Sequence, residues 1–259
     1  MSETKEAKLR LFVEAEFGPG AELVLEDGQA HYLINVMRRK PGDAVLLFNG
    51  RDGEWLAEIS GTAKKTCHVR LVSEVRPQAP EPDLRLLFAP IKRLRLDYTV
   101  QKATELGVSA VQPVFTEFTH VERVNLDRLE ANAIEAAEQC RRLTVPRILE
   151  PAKSVAEAFA ALPEGCRRFI FDNGEGSAPA LDVLSGLPRD NAPAALLIGP
   201  EGGFSERERA VFRAAPDTHV LTLGPRILRA DTAVVAGLTL WQAILGDWRE
   251  PAGAGFPSR

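Results

Sequence analysis

The stretch LLIGPEGGFSERE, Leu196–Glu208, decides how the second half of this chain is read. An apolar run, Leu196–Ile198, leads into a turn of Gly199, Pro200, Glu201, Gly202 and Gly203. Ser205 and Glu208 follow at capping-box spacing, so a helix starts at once. LTLGPRILRADTA, Leu221–Ala233, repeats the scheme: an apolar run, Gly224-Pro225, a turn, then a helix capped by Asp231 or Thr232. In open α/β sheets, ligands bind beyond the carboxyl ends of strands, and both Gly-Pro turns sit at such ends. They follow consecutive strands, which tend to be neighbours in space, so they are expected to line one crevice.

Working outward, strands and helices alternate on both sides of these turns. LRLLFAP, VSAVQPVF, RRFIFDN, AALLIG and THVLTLG read as buried strands. YTVQKATELGV, LDRLEANAIEAAEQCRR, SVAEAFAAL, SERERAVFRAA and a segment from about Thr232 to Leu245 read as helices. Gly107 closes the first of these helices, and Ser154 with Glu157 forms a second capping-box pattern. The alternation implies α/β architecture with a mostly parallel sheet covered on both faces, over residues 84–250. Before it, three prolines in Arg76–Asp83 disfavour regular structure and mark a linker. Residues 1–75 have another rhythm. AELVLE, AVLLFNG, EWLAEIS and CHVRLVSEV are short strands separated by hairpin signals. HYLINVMRRKPGD adds a helix that puts Leu33, Val36 and Met37 on one face and stops at Pro41-Gly42. A small β barrel with one short helix fits. Met1–Lys8 is expected to be loose, and 251–259 is expected to be a disordered tail.

Composition narrows the function. The chain has 259 residues, 45% of them hydrophobic, and a net charge of −4. No CxxC pair exists among the three cysteines, and the four histidines have no ligand spacing, so no metal site is expected. MSETKEAKLR lacks the apolar core of a signal peptide, and the apolar runs are too short to span a bilayer. A cytoplasmic protein is the expectation. Basic residues cluster in this acidic chain: Arg38-Arg39-Lys40; Lys92, Arg93 and Arg95; Arg141-Arg142 with Arg147; Arg167-Arg168; Arg226 with Arg229. Each is either a solvated face or an anion site, and a converging set could follow a phosphate backbone.

The turns themselves exclude some ligands. No GxxxxGK[ST] motif exists, so a P-loop is ruled out. A capping box already uses N–H groups that a phosphate would need, and Glu201 would repel one. A neutral or cationic ligand gripped by backbone suits the turns better; the plainer reading is two tight strand-to-helix connections.

LLIGPEGGFSERE followed by LGPRILRADTAVVAGLTLWQ resembles the SPOUT methyltransferases, and more closely the RsmE family, the 16S ribosomal RNA uridine-N3 methyltransferases. HYLINVMRRKPGD, QKATELGV and EAAEQCRRLTVPRI are similar to other motifs of that family. The resemblance implies a PUA-like N-terminal barrel that helps hold RNA, a SPOUT domain with a trefoil knot, and a homodimer. It implies S-adenosylmethionine as cofactor, held around Leu197, Ile198, Gly199, Gly203, Leu223, Gly224, Ile227 and Leu228. A sulfonium cation tolerates Glu201 nearby. Flanking RNA phosphates would fall to Arg38, Arg39, Lys40, Lys92, Arg95, Arg141, Arg142 and Arg226. Arg229 would stabilise the uracil anion, with Asp231 or Glu201 as the candidate base.

The chain departs from the family pattern at three places. Ala230-Asp231 stands for Thr-Glu. Phe118 replaces the arginine of Thr-Glu-Arg-Ser, while Thr116, Glu117 and Thr119 match. Arg141 replaces a usual glycine and brings a charge there. Three rival readings stand beside this one. FIFDNGEGS, Phe169–Ser177, has a Gly174-x-Gly176 spacing reminiscent of Rossmann methyltransferases, but it falls past the middle of its domain. A SPOUT enzyme acting on another RNA would not need the barrel or QKATELGV. A non-catalytic RNA-binding assembly factor would not need two intact cofactor turns.

Overall fold

The structure is a computed structural model and describes residues 9–91 and 93–249. Met1–Lys8, Lys92 and the expected tail lie outside the described residues. Among the described residues, 9–80 and 137–145 form one compact unit, and 81–136 with 146–249 form another.

In the first unit the strands are β1 (Arg10–Phe12), β2 (Glu22–Glu26), β3 (Ala44–Phe48), β4 (Glu54–Thr62) and β5 (Thr66–Arg76). They form one sheet in the order β1-β3-β4-β5-β2, with β1 parallel to β3 and the other pairs antiparallel. The four strands expected from sequence are present, and β5 runs on to the first residue of the expected linker. The short β1 was not foreseen. Alternation decides the inner face: Val45, Leu47, Ala57, Ile59, Cys67, Val69 and Leu71 are buried in one core. Register shifts along β4 and β5 bend the sheet round that core.

Helix α1 (Asp27–His31) continues as a π-helical turn, Tyr32–Val36, in which the Met37 N–H donates to the Tyr32 carbonyl at 2.9 Å. This corrects the expected apolar face. A π turn carries more residues per revolution than an α turn. Leu33 is therefore fully buried, whereas Val36 is 56% exposed and Met37 38% exposed.

The second unit holds β6 (Leu84–Phe88), α2 (Arg93–Glu105), β7 (Ala110–Pro113), α3 (Leu126–Cys140), β8 (Arg147–Ile148), α4 (Val155–Ala160) and β9 (Arg167–Phe171). The last turn of α3 belongs to the first unit. The chain goes on through β10 (Ala178–Pro179), α5 (Ala180–Gly186), β11 (Ala194–Ile198), α6 (Glu206–Ala214), β12 (Thr218–Thr222) and α7 (Ala230–Ile244). The strands form one wholly parallel sheet, ordered β10-β12-β9-β11-β6-β7-β8. Every residue of β7 and β11 is buried, as continuous apolar runs demand of strands covered on both faces. Helices α4 and α6 pack together on one side, over Leu87, Ile170, Ala195 and Leu197. On the other side α7 packs against α2, α5 and β11.

The strand order corrects one expectation. β11 and β12 are consecutive in the chain but not neighbours, because β9 pairs with both. Both predicted Ser/Glu pairs cap their helices, the one at α6 as a full capping box and the one at α4 by its serine half alone. At α6 the Ser205 hydroxyl accepts from the Glu208 N–H and the Glu208 carboxylate accepts from the Ser205 N–H. At α4 Ser154 accepts from the Glu157 N–H, but the Glu157 carboxylate accepts from Lys153 rather than from Ser154.

Candidate cofactor and nucleobase site

The carboxyl ends of β9, β11 and β12 open into a cavity of about 390 Å3. The turn after β11 supplies Gly199, Pro200, Glu201, Gly202 and Gly203, and the loop after β12 supplies Leu223 and Arg226–Arg229. Ile198, the last residue of β11, and Leu221, the last but one of β12, also line it. The two Gly-Pro turns thus share one cavity although a strand stands between them. That strand adds what the sequence reading missed. Phe171, Asp172, Asn173 and Gly174, from FIFDNGEGS, line the cavity too. The carboxyl-end rule would have found them had it been applied to β9 as well.

The turns owe their shape to small residues set against large ones. A side-chain carbon on Gly199 would stand 2.8 and 2.9 Å from ring carbons of Phe204, which packs edge-on against Phe212 at 4.9 Å between centroids. Glycine lets the backbone pass directly over that ring.

One polar pair is built into the wall. Arg209 of α6 donates from Nε to Asp172 at 2.8 Å and from Nη2 at 3.3 Å, and a third donor reaches Glu206 at 2.9 Å. Asp172 is buried, with 7% of its side chain exposed. The bonds from Asp172, then from Glu206, hold the Arg209 proton more tightly than usual. A buried carboxylate is tolerated because this fork satisfies it.

Of the predicted cofactor residues, Ile198, Gly199, Gly203, Leu223, Ile227 and Leu228 line the cavity. Leu197 points the other way, into the core beneath α4 and α6, because alternate residues of a strand face opposite sides. Gly224 is not in the lining; its carbonyl accepts from the Thr222 hydroxyl at 3.2 Å. Ile227 lines the cavity yet is 88% exposed, so only part of it touches the wall.

Of the predicted chemical residues, Asp231 is not part of the cavity lining. Glu201, Arg226 and Arg229 line the cavity. Asp231 does not cap α7, which corrects that reading: Arg229 is the N-cap, without a side-chain cap bond. Asp231 sits in the first turn, where a carboxylate suits the helix dipole, and accepts from the Thr232 N–H at 2.8 Å. Arg95 of α2 stands between the two candidate acids, 3.5 Å from Glu201 and 3.9 Å from Asp231. Among the described residues Arg229 makes no ion pair, and Arg95 is the cation beside Asp231.

The remaining basic candidates are placed as follows. Lys92 lies outside the described residues. In the first unit Arg38 and Lys40 are exposed and Arg39 half-buried, just after the π turn. Arg141 is exposed with φ +64°, and its carbonyl accepts from Arg76. Arg142 donates to the Thr144 hydroxyl at 3.0 Å. The cluster Arg167-Arg168 serves structure instead. Arg167 pairs with Asp190, and Arg168 donates to the Pro216 carbonyl at 2.7 Å.

Known proteins resemble this chain over most of its length. Residues 78–242 match the family model for the RNA methyltransferase domain, and 25–72 match that for the RNA methyltransferase PUA domain. The chain is 31% identical over 230 residues to ribosomal RNA small subunit methyltransferase E of Rickettsia conorii, covering 88% of this chain and 93% of that one. Among solved structures it is similar to a ribosomal RNA small subunit methyltransferase E from Neisseria gonorrhoeae bound to S-adenosyl methionine, with TM-score 0.82 and 29% identity. That match covers 93% of this chain and 99% of the other. A Legionella pneumophila methyltransferase in complex with the same cofactor gives TM-score 0.81 at 30% identity, over 92% and 98% of the two chains. The expected fold class, a SPOUT-type parallel sheet preceded by a small PUA-like domain, is the one observed. With its paired Gly-Pro turns in one cavity, the chain belongs to the ribosomal RNA small subunit methyltransferase E family of RNA methyltransferases.

Proposed function

We propose that this protein methylates N3 of a uridine in 16S ribosomal RNA of the small subunit, with S-adenosylmethionine as methyl donor. The observation that carries the reading is the single cavity shared by the turns after β9, β11 and β12, with Glu201 and Arg229 at its mouth.

The residues present fit the cofactor. The volume, about 390 Å3, lies in the range of about 300–1,000 Å3 usual for small-molecule pockets. Leu221, Leu223, Ile227 and Leu228 offer apolar walls to an adenine, and the backbone at Gly199 and Gly203 offers hydrogen bonds. Asp172 and Arg209 offer a carboxylate and a guanidinium to a zwitterion. Glu201 and Asp172 suit a sulfonium, and no lysine among the described residues lines the cavity.

The cofactor, when bound, supplies a methyl group already activated for transfer. What is left to this chain lies at the uracil. N3 carries a proton that must leave, and the charge spreads to the carbonyl oxygens. Arg229 donates to those oxygens, and Asp231 or Glu201 takes the N3 proton. Arg95 orients both carboxylates. Because N3 lies on the Watson–Crick edge, the target base is unpaired or turned out of its stack. The small first unit, with Arg38, Arg39, Lys40, Arg141 and Arg142, holds flanking phosphates, as do Lys92, Arg95 and Arg226.

A homodimer, a trefoil knot and a cytoplasmic location complete the proposal. On α7, Val234, Leu238 and Trp241 are buried within the chain itself, and Val235 is half-buried. No described helix is long and apolar enough to cross a membrane.

The test is transfer of labelled methyl from S-adenosylmethionine to small ribosomal subunits lacking native modification, with the product nucleoside identified. N3-methyluridine is expected. Transfer only to naked or transfer RNA would discard the substrate and keep the cofactor site. Absence of both transfer and cofactor binding would favour an RNA-binding assembly factor.

A further inference from the structure

All strands of the second sheet are parallel, so the loops at their carboxyl ends share one edge in strand order. The loops after β12, β9 and β11 enclose the cavity. Beyond them, on the β6 and β7 side, that edge carries Arg95 and the turn Thr116–Thr119. In this turn Phe118 is 39% exposed.

The turn is held rigidly. The Thr116 N–H donates to the Thr119 hydroxyl at 3.0 Å, the Thr119 N–H donates to the Thr116 carbonyl at 3.0 Å, and the two hydroxyls are 2.8 Å apart. The Glu117 N–H donates to the Glu208 carboxylate at 3.0 Å, which ties the turn to the capping box of α6. Phe118 itself lies across Gly202: a side-chain carbon there would stand 3.0 Å from its Cβ and 3.4 Å from its Cγ. Glycine at 202 leaves the slot into which the base of this aromatic fits. Gly202 and Glu201 both line the cavity mouth.

We propose that Phe118 is a stacking platform for the target nucleobase: it receives the turned-out uracil on its ring face and presents it to Glu201 and the cavity mouth. This rests on the RNA-methyltransferase reading above. An exposed aromatic on a rigid mount is what base stacking needs, since the ring must keep its place without a partner. The site lies on the β7 side of the cavity, so a base there and a cofactor between β9, β11 and β12 do not compete for space. Phe118 offers a flat apolar face, on which a base is held by stacking rather than by charge.

The test compares wild type with Phe118→Ala, Phe118→Leu and Phe118→Trp in two assays. One is methyl transfer to unmodified small subunits, resolved into kcat and KM for the subunits. The other is calorimetric affinity for S-adenosylmethionine. Leucine keeps apolar packing over Gly202 but has no ring. The expected result is a KM raised roughly tenfold to hundredfold for alanine and leucine alike, near wild type for tryptophan, with cofactor affinity unchanged throughout. A wild-type KM in Phe118→Leu would overturn the stacking role. So would a parallel loss of cofactor affinity, which would make Phe118 a brace for the 199–203 turn. A wild type that transfers no methyl to RNA would sink the enzyme reading, and the stacking role with it, whereas the first two outcomes leave that reading standing.

Discussion

The guanidinium of Arg95, on α2, stands 3.5 Å from the carboxylate of Glu201, in the turn after β11. Its Nε is also 3.9 Å from Asp231, so a single cation spans both candidate bases. The two acids are exposed to different degrees: the Glu201 side chain is 56% accessible and that of Asp231 18%. The less accessible acid, at the start of α7 next to Arg229, is the better placed to keep a proton acceptor away from bulk water. Asp231→Asn is expected to lower kcat by about a hundredfold or more, and Glu201→Gln by about tenfold or less. Arg229→Ala should cost about a hundredfold or more in kcat with both substrates saturating. Single-turnover methyl transfer measures all three. Full turnover in Arg229→Ala would remove the anion-stabilising role.

Gly199→Ala tests the cavity wall without touching a charged group. The new methyl would meet the Phe204 ring at 2.8 Å, inside a packed cluster with Phe212. Overpacking of this kind costs about 1–3 kcal/mol. A lower melting temperature and at least about tenfold weaker cofactor binding by calorimetry are expected, because relief of the clash moves the turn.

Arg141 occupies a left-handed backbone position, φ +64°, which favours glycine. Arg141→Gly is expected to be neutral or stabilising by up to about 1 kcal/mol, seen as a raised denaturation midpoint. If Arg141 also contacts a phosphate, the same variant binds RNA more weakly and its affinity depends less steeply on salt. Stability and RNA affinity would then move in opposite directions.

His219, on β12, stacks on Phe169 with centroids 5.4 Å apart and ring planes 17° from parallel. Burial depresses its imidazole below the ordinary 6.5; Asp217 opposes this and Arg167 adds to it. The unfolded chain therefore binds a proton that the folded chain resists. The contribution of His219 is complete above that ordinary value and is lost as pH falls through the lower, folded value. The fall in melting temperature between pH 7 and pH 5 should be smaller in His219→Gln than in wild type. An equal fall would show that His219 does not titrate this way.

Both Gly-Pro turns, both Ser/Glu helix starts, the parallel sheet and four of the five strands of the small unit were legible because each is marked by patterns within a few residues. A serine hydroxyl reaches an N–H three positions on, and a run of apolar residues marks a doubly covered strand wherever it lies. The π turn at Tyr32–Val36 escaped because it keeps the composition of an α-helix while changing its pitch. Asp231 looked like a cap because aspartate suits that position, yet the N-cap is Arg229, two residues earlier.

The sequence by itself determined which segments become strands and helices, that two glycine turns sit at strand ends, and which chemical groups those turns carry. Only the tertiary structure decided that β9 lies between β11 and β12, and so brings Asp172 and Asn173 to the cavity. Only it set Arg95 beside Glu201 and laid Phe118 across Gly202. The physical reason is range. Helix caps and strand periodicity are written in neighbouring residues. Strand order and the meeting of side chains from separate loops come from packing the whole sheet, where distant segments compete for the same faces and edges.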